Sequence, residues 1–124
     1  MPYKILIADD EENLITLVRD NLEMEDFLVI SAQDGIEALE IAATEKPDLI
    51  LLDVGMPKID GIEVCRRLKS NAQTSHIPII FLSALVRGED VRRGLEVGAE
   101  RYLPKPCTPR QLIRVVKEEL HKKK

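Results

Sequence analysis

Aromatic residues and cysteines are scarce in this sequence. It has no tryptophan, two phenylalanines, two tyrosines and two cysteines. Cys65 and Cys107 lie in separate segments. Neither they nor His76 and His121 show the paired close spacings that are typical of a zinc site. We therefore expect reduced cysteines without a bound metal, and few rings that could stack on a flavin.

Long apolar runs and a strong net charge are also missing. The most continuous apolar stretches, residues 49–52 and 77–82, fall far short of the about 20 residues that a membrane-spanning helix needs. The first residues show neither the basic region nor the cleavage site of a secretory signal. The 18 basic and 22 acidic residues give a net charge of −4, which opposes binding to nucleic acid. We expect a cytoplasmic protein that binds neither membranes nor nucleic acid directly.

The length and composition are typical of one soluble domain. The 124 residues are 44% hydrophobic and 32% charged, as in an ordinary globular chain. The basic run at residues 122–124 follows a predicted helix end, where cations interact favourably with the helix dipole. This position favours a solvated tail over a binding patch. We expect residues 1–124 to form a single domain, with no output domain in this chain.

Segments rich in aliphatic β-formers alternate with segments of helical periodicity. Strands are predicted at residues 4–8, 27–31, 49–52, 78–82 and 101–103. The stretch at residues 87–97 is the poorest helix, because Gly88 and Gly94 each cost about 1 kcal/mol relative to alanine. In the other four stretches helical spacing places these apolar residues on one face: Leu14, Val18 and Leu22; Ile36, Leu39 and Ala43; Ile62, Cys65 and Leu68; Leu112, Val116 and Leu120.

Helix starts are marked by two copies of one motif. Asp34-Gly35-Ile36-Glu37 and Asp60-Gly61-Ile62-Glu63 have the pattern of a capping box and lie 26 residues apart, the length of one β-α unit. Thr108 and Gln111 predict that the last helix begins near Pro109. Continuous apolar runs favour strands buried on both faces of a parallel sheet with right-handed crossovers. The predicted fold class is α/β, doubly wound.

Polar residues follow the predicted strands. Asp9 and Asp10 follow the first strand, Asp53 the third, Ser83 the fourth and Lys105 the fifth. Ligands of open parallel sheets bind at this edge, where the strand order reverses. If the second strand lies at the sheet edge, the three carboxylates converge, and their mutual repulsion favours a hard divalent cation such as Mg²⁺. Lys105 and Ser83 add a positive charge and a hydroxyl donor for an anion, so the set indicates phosphoryl transfer.

Each of these residues also has an ordinary structural interpretation. Asp10 fits the N-cap of the first helix, and Asp53 fits a turn before Pro57. Ser83 fits a surface hydroxyl, and Lys105 fits a solvated cation. Only their joint occurrence at strand ends favours the functional interpretation.

Four short motifs contain these residues. They are IADDE at residues 7–11, LLDVGMP at 51–57 with Asp60-Gly61, LSA at 82–84 and YLPKP at 102–106. With them the chain resembles a receiver domain of the two-component response regulator family over essentially all 124 residues. The resemblance implies a flavodoxin-like, CheY-like fold. In that fold five helices flank a five-stranded parallel sheet of order 2-1-3-4-5, the order known for the chemotaxis member of the family.

The resemblance also implies a phosphorylation site. Asp53 would be the phosphoacceptor, which takes a phosphoryl group from a phosphohistidine. Asp10, Asp53 and the backbone carbonyl of Gly55 would hold Mg²⁺, with Asp9 acting directly or through water. The chain would catalyse only its own phosphorylation and slow dephosphorylation, and would not be a conventional enzyme.

Further roles carried over by the resemblance concern switching. Lys105 would bind a phosphoryl oxygen and form a cis peptide bond with Pro106. Ser83 would move to hydrogen-bond the phosphoryl group, and Tyr102 would follow by changing rotamer. These movements would switch the surface of helix 4, strand 5 and helix 5. The glycines of the fourth helix fit either a mobile element there or close packing.

The implied partners are those of a phosphorelay. A sensor histidine kinase or a histidine phosphotransfer protein would supply the phosphoryl group. A downstream output domain or effector protein would receive the signal. The resemblance is compatible with a monomer or with a weak dimer that depends on phosphorylation.

Five positions distinguish this chain within the family. Ser83 stands where threonine is common, and Cys107 stands where an aromatic residue is frequent. Arg101 replaces an acidic residue of the transcription-factor subfamily that dimerises through helix 4, strand 5 and helix 5, which argues against that dimer. Gly55 and Leu85, beside the phosphoryl group, cannot orient an attacking water, so we predict slow self-dephosphorylation.

Three alternatives share parts of this pattern. A phosphatase of haloacid-dehalogenase type forms an aspartyl phosphate, but it has a second acid where this chain has Gly55, and a cap segment that is missing here. A flavodoxin-like cofactor binder needs a phosphate loop after strand 1, where Asp9-Asp10-Glu11-Glu12 would repel a phosphate. A degenerate receiver that acts only as an interaction module would have lost an acidic or lysine position, and none is lost.

Overall fold

The computed structural model describes residues 2–122, in which strands and helices alternate strictly. The strands are β1 (Lys4–Ala8), β2 (Leu28–Ala32), β3 (Leu49–Leu52), β4 (Ile79–Ser83) and β5 (Arg101–Pro104). The helices are α1 (Glu12–Glu23), α2 (Gly35–Glu45), α3 (Gly61–Ser70), α4 (Gly88–Glu96) and α5 (Pro109–Lys122). Every predicted strand begins within one residue of its observed start. Residues 123 and 124 of the predicted basic tail lie outside the described residues.

All neighbouring strands are parallel, in the order β2-β1-β3-β4-β5. Ala8 at the end of β1 lies opposite Ala32 of β2 and Leu52 of β3, so these three strands end at one common edge. Every residue of β3 and β4 is buried, because helices cover both faces of the sheet. The predicted doubly wound fold and its strand order are confirmed.

Alternate residues of each strand pack into two apolar layers. Leu6 and Ile50 face the layer covered by α2 and α3, whereas Ile5 and Leu49 face the layer covered by α1 and α5. Burying both faces supplies most of the hydrophobic stabilisation of such a sheet. Among residues 2–122, no helix combines the length and apolar character needed to cross a membrane.

The predicted caps form at three helices. Asp34 Oδ1 accepts a hydrogen bond from the backbone N–H three residues later at 2.8 Å, and Asp60 Oδ1 does the same at 2.9 Å. At α5, Thr108 Oγ1 accepts from Gln111 N at 3.1 Å, and Gln111 Oε1 accepts from Thr108 N at 3.0 Å. These bonds satisfy N–H groups that have no partner within the helix. The predicted starts of α2, α3 and α5 are confirmed.

Helix α1 begins without a cap from Asp10, the ordinary structural interpretation of that residue. The N-cap position is Glu11, whose side chain makes no capping hydrogen bond. Instead, Asp9 Oδ1 accepts a hydrogen bond from Glu11 N at 3.0 Å. The N-cap interpretation of Asp10 is wrong, because the helix starts one residue later and leaves this exposed side chain before the cap.

The buried face of α2 differs from the predicted one. Ala38 and Ala42 are buried, whereas Ile36 and Ala43 are exposed and Leu39 is partly buried. The two alanines lie four residues apart on one face, and their small side chains let the helix approach the sheet closely. The prediction took the larger apolar side chains as the buried face, and it therefore placed the wrong face of α2 against the sheet.

One glycine of α4 lies beneath two aromatic rings. A Cβ atom on Gly94 would lie 2.8 Å from a ring carbon of Tyr102 and 3.0 Å from one of Phe81. A Cβ atom on Gly88 would have no atom within 4 Å. Close packing therefore explains why position 94 is a glycine. It does not explain the glycine at position 88.

Both motif glycines contact the loop between β3 and α3. Gly61 N and Gly35 N donate to carbonyl groups of this loop at 2.8 and 3.3 Å. A Cβ atom on Gly61 would lie 2.0 Å from the carbonyl oxygen of Asp53, and one on Gly35 would lie 2.1 Å from that of Ile59. Only glycine allows this close approach of the two helix starts to the loop.

Arg101 connects β5 to α5. Its Nε donates to Glu119 Oε2 and its Nη2 to Glu118 Oε1, both at 2.8 Å. Lys122 Nζ lies 3.1 Å from the same oxygen of Glu119. The ion pairs with Glu118 and Glu119 raise the pKa of the Arg101 guanidinium. Because the Glu119 side chain is only 3% exposed, its charge depends on these two cations.

Replacing Gly61 should strain the loop that carries Asp53. We expect Gly61→Ala to destabilise the fold by about 1–3 kcal/mol, because the added methyl group overpacks against backbone that must shift. Gly88→Ala is the matched control, since its methyl group meets open space. We expect the control to be neutral or slightly stabilising. Urea unfolding of both variants measures the difference, and equal midpoints would contradict the prediction.

Removing Arg101 should destabilise the fold, because Glu119 then loses one of its two cationic partners. We expect Arg101→Ala to lower the free energy of unfolding by about 1–3 kcal/mol, because a buried carboxylate keeps only Lys122. Arg92→Ala is the control, because the pair of Arg92 with Glu96 is exposed and 3.9 Å long. Its effect should stay within about 0.5 kcal/mol. A thermal melt in which both variants behave alike would refute this expectation.

Candidate functional site

The structure brings together the polar residues that were predicted at strand ends. Asp9 and Asp10 follow β1, Asp53 follows β3, Ser83 ends β4 and Lys105 follows β5. One carboxylate oxygen from each of Asp9, Asp10 and Asp53 lies within 4.8 Å of the others. Lys105 Nζ lies 2.8 Å from Asp9 Oδ2 and 3.4 Å from Asp53 Oδ2. The edge of the sheet therefore holds a compact cluster of three acids and one ammonium group.

Backbone hydrogen bonds just beyond the strands set these positions. Asp9 N donates to the last carbonyl of β2, and Asp53 N donates to the last carbonyl of β1, each at 3.0 Å. Lys105 N donates to Ser83 O at 2.9 Å. The backbones of Asp9, Asp53 and Lys105 are thus each held by a neighbouring strand.

Two of the three acids are buried. Asp9 is 2% exposed and Asp53 is 8% exposed, whereas Asp10 is exposed. Burial, together with the nearby charge of Asp53, raises the pKa of Asp9 above its ordinary value. The ammonium group of Lys105 and the N–H of Glu11 lower this pKa, but they do not outweigh burial. The negative charge of Asp9 is therefore held in an unfavourable environment.

Lys105 is shared among several carboxylates. Besides its contacts with Asp9 and Asp53, its Nζ donates to Glu11 Oε1 at 3.2 Å. Burial acts to lower the pKa of Lys105, but the hydrogen bonds and charges of these acids outweigh it and raise the pKa. With Asp10 included, one positive charge faces four negative charges. The site keeps an excess of negative charge.

This donor set fits a hard divalent cation. Carboxylate oxygens are the ligands that Mg²⁺ prefers, and it usually keeps several waters as well. The exposed side of Asp10 leaves room for such waters. Gly55, the fourth predicted ligand, lies two residues after Asp53 in an exposed position with open space around it. The residues present therefore suit Mg²⁺ by charge, ligand type and access to solvent.

Ser83 and Tyr102 meet at the backbone of Leu85. Ser83 is 1% exposed, and its Oγ accepts a hydrogen bond from Leu85 N at 3.1 Å. The Tyr102 hydroxyl donates to Leu85 O. The Tyr102 ring packs on Phe81 with 5.5 Å between ring centroids. Burial raises the pKa of Tyr102. One peptide segment thus joins the two residues that the resemblance connects with switching.

Two participants were missed by the sequence reasoning. Glu11 was not assigned a role, although its place directly after the Asp9-Asp10 pair was a usable signal. The backbone of Leu85 gave no such signal, because its contact with Tyr102 joins segments 17 residues apart. The cis peptide bond predicted between Lys105 and its following proline is present.

Cys107 lines an apolar cavity that also borders Lys105 of the site. The cavity has a volume of about 370 Å³, lies between α1 and α5, and is lined by Leu14, Val18, Cys107 and Leu112 among others. Burial raises the pKa of the Cys107 thiol, and it raises that of Cys65 to about 12. Both are free thiols.

Comparison of the sequence with known proteins agrees with this architecture. Residues 5–117 match the family described as Response regulator receiver domain. Over 122 residues the chain is 49% identical to the alkaline phosphatase synthesis transcriptional regulatory protein PhoP of Bacillus subtilis, a match that covers 98% of this chain and 50% of PhoP. Over 113 residues it is 41% identical to the response regulator MprA of a Mycobacterium species, a match that covers 91% of this chain and 48% of MprA. The chain spans about half the length of these relatives.

A solved structure shows the same architecture. The CheY-like response regulator receiver domain protein of Methanospirillum hungatei superposes with a TM-score of 0.93 at 27% identity. The match covers 98% of this chain and 96% of that protein. Both the family match and the sequence identity to the relatives extend over most of the chain. This protein therefore belongs to the response regulator receiver domain family of two-component signalling, with a CheY-like fold.

Proposed function

We propose that Asp53 is the phosphoacceptor of this receiver domain. The observation that carries the proposal is the position of its carboxylate at the end of the central strand, 3.4 Å from Lys105 Nζ and beside two further acids. A carboxylate oxygen of Asp53 attacks the phosphorus of a phosphohistidine. The P–O bond forms as the P–N bond breaks, and the imidazole leaves with the electron pair.

Magnesium completes the proposed site. Asp10, Asp53 and the Gly55 carbonyl hold the ion, with Asp9 acting directly or through water. When bound, Mg²⁺ supplies charge stabilisation for phosphoryl oxygens and compensates the excess negative charge of the cluster. The close approach of three carboxylates in this structure supports this assignment.

Lys105 and Ser83 act on the transferred group. Lys105 donates hydrogen bonds from its ammonium group to a phosphoryl oxygen, where charge accumulates during transfer. Ser83 turns its hydroxyl from Leu85 N toward the phosphoryl group. Its location at the end of β4, next to β3, supports this role.

Phosphorylation changes the surface of the domain through Leu85 and Tyr102. When Ser83 releases Leu85, the segment to which the Tyr102 hydroxyl is bonded loses one of its two anchors. The tyrosine then changes rotamer, and the α4-β5-α5 surface changes with it. Exposed apolar side chains on this part of the molecule, Leu85, Val86 and Leu95, provide contact area for a partner.

The partners follow from the chemistry and from the relatives. A sensor histidine kinase or a histidine phosphotransfer protein supplies the phosphoryl group in the cytoplasm. An output domain or an effector protein receives the signal, in line with the transcriptional regulatory role in the name of PhoP. We place the phosphoacceptor domain at residues 1–124, as a monomer or a weak dimer. Arg101 is already paired within its own chain, which supports a mode other than the dimer of the transcription-factor subfamily.

The alternatives are less well supported by the geometry. A dehalogenase-type phosphatase needs an acid two residues after the nucleophile, and Gly55 occupies that position. A degenerate receiver would lack part of the acid and lysine cluster, and the cluster is complete here. We therefore place this chain among signalling phosphoacceptors rather than among enzymes that turn over a small substrate.

Intact-mass analysis after incubation with acetyl phosphate tests the phosphoacceptor. We expect a gain of one phosphoryl group that requires Mg²⁺ and is lost in Asp53→Ala, because that variant lacks the attacking oxygen. Asp20→Ala is the control, since Asp20 is an exposed acid on α1 outside the site. Labelling of Asp53→Ala to the level of the control would refute the assignment of Asp53.

The phosphoryl group should be lost slowly. Gly55 has no side chain and Leu85 no polar one, so neither positions a water for attack on phosphorus. We expect the isolated domain to lose its phosphoryl group over minutes or longer. The decay of radiolabelled phosphoprotein with time measures this loss. In Gly55→Asn an amide can orient water, and we expect loss about fivefold faster, since one hydrogen bond is worth about 1 kcal/mol. Gly55→Ala is the control, and loss from the wild type within seconds would contradict the prediction.

A further inference from the structure

The proposed chemistry leaves one charged group at Lys105 without a role. Glu11 Oε1 accepts a hydrogen bond from Lys105 Nζ at 3.2 Å. Glu11 occupies the N-cap position of α1, yet its side chain makes no capping hydrogen bond there. Within residues 2–122, Lys105 is the only ionic partner of this side chain. The carboxylate of Glu11 is therefore directed to the lysine and not to the helix.

The ammonium group of Lys105 is shared by three carboxylates in this arrangement. It carries three N–H donors. Its three carboxylate neighbours are Asp9 at 2.8 Å, Glu11 at 3.2 Å and Asp53 at 3.4 Å. Asp53, the reacting group, is the farthest of the three. In the unphosphorylated protein Lys105 is therefore held closer to Asp9 and Glu11 than to the group that will carry the phosphoryl oxygens.

Burial decides which of the other two carboxylates can release Lys105 toward a phosphoryl group on Asp53. Asp9 is 2% exposed, so losing its cation would leave a buried charge with less compensation. The Glu11 side chain is 64% exposed, so water can replace the ammonium group at little cost. Asp53 becomes the phosphorylated residue itself. Glu11 is therefore the exchangeable partner of Lys105.

We propose that Glu11 is a positioning residue that holds Lys105 in the unphosphorylated protein and competes with the phosphoryl group for it. This inference rests on the proposed function of Asp53 and Lys105. By stabilising the unphosphorylated arrangement, Glu11 weakens binding of a phosphoryl group or of its mimics. Its effect acts through Lys105 and requires no contact with the phosphorus atom.

Glu12 provides a matched control for Glu11. It is the next residue, it is exposed, and its Oε1 accepts from Gln33 Nε2 at 3.0 Å rather than from Lys105. Glu11→Gln and Glu12→Gln remove the same charge from nearly the same place. Any difference between them therefore reports the contact with Lys105 and not the net charge near the site.

Calorimetric titration of the full chain with beryllofluoride in the presence of Mg²⁺ tests the proposal. We expect Glu11→Gln to bind this phosphoryl mimic about two- to fivefold more tightly than Glu12→Gln, which is the range of a half-exposed ion pair. Without metal, the ammonium nitrogen resonance of Lys105 should shift in Glu11→Gln and stay in place in Glu12→Gln. The second measurement reports the contact independently of any phosphoryl chemistry.

The outcomes separate this inference from the proposed function. Wild type that binds beryllofluoride with Mg²⁺, together with equal affinities of the two glutamine variants, would overturn the role of Glu11 alone. Unequal affinities with an unmoved Lys105 resonance would also overturn it, because the effect would not act through that contact. Wild type that fails to bind beryllofluoride would overturn the proposed function, and the role of Glu11 with it.

Discussion

Electrostatic repulsion among the acids at one edge of the sheet is the constraint on which the rest of the site depends. Asp9, Asp10 and Asp53 approach one another closely, and Lys105 is the only cation that touches them within residues 2–122. Such a cluster opposes folding unless other terms offset it. Here two apolar layers and a continuous ladder of backbone hydrogen bonds hold the acids in place. Burial, and to a smaller extent the charge of Asp53, keeps the pKa of Asp9 above its ordinary value despite the nearby ammonium group.

The loop that follows Asp53 is held in place by two motifs that also start helices. The two Asp-Gly-Ile-Glu motifs begin helices, and their aspartates cap them. Their glycines also let the helix starts approach the loop to a distance that no side chain permits. Helix initiation and loop positioning are thus combined in four-residue motifs. A change in either motif should therefore affect the stability of the fold and the geometry of the site together.

A short series of contacts connects the site with helix α4. Ser83 accepts a hydrogen bond from the N–H of Leu85, and the Tyr102 hydroxyl donates one to the carbonyl oxygen of the same residue. Tyr102 in turn packs against Gly94 of α4, which has no side chain to keep the ring away. The weakest helix by propensity is therefore also the one in direct contact with the proposed switch residue. Low intrinsic stability and direct contact are both properties expected of an element that moves.

Much of the fold was predictable because its signals are local. Continuous apolar runs, turn residues and capping motifs located the five strands and several helix starts, and the acids and the lysine were found because each directly follows a strand. The rotation of α2 was not predictable in this way. Ala38 and Ala42 face the core since a closely approaching helix requires small side chains, and only the neighbouring sheet imposes that requirement.

The sequence by itself determined the alternation of strands and helices and the residue types available at the strand ends. Only the tertiary structure decided which groups share Lys105, since Glu11 and Lys105 lie 94 residues apart. Likewise, only the packing of β5 against β4 brings the Tyr102 hydroxyl to the Leu85 carbonyl. The physical reason is the same in both cases. Local patterns specify backbone conformation, whereas the competition of several charges or donors for one partner depends on distances that the whole fold sets.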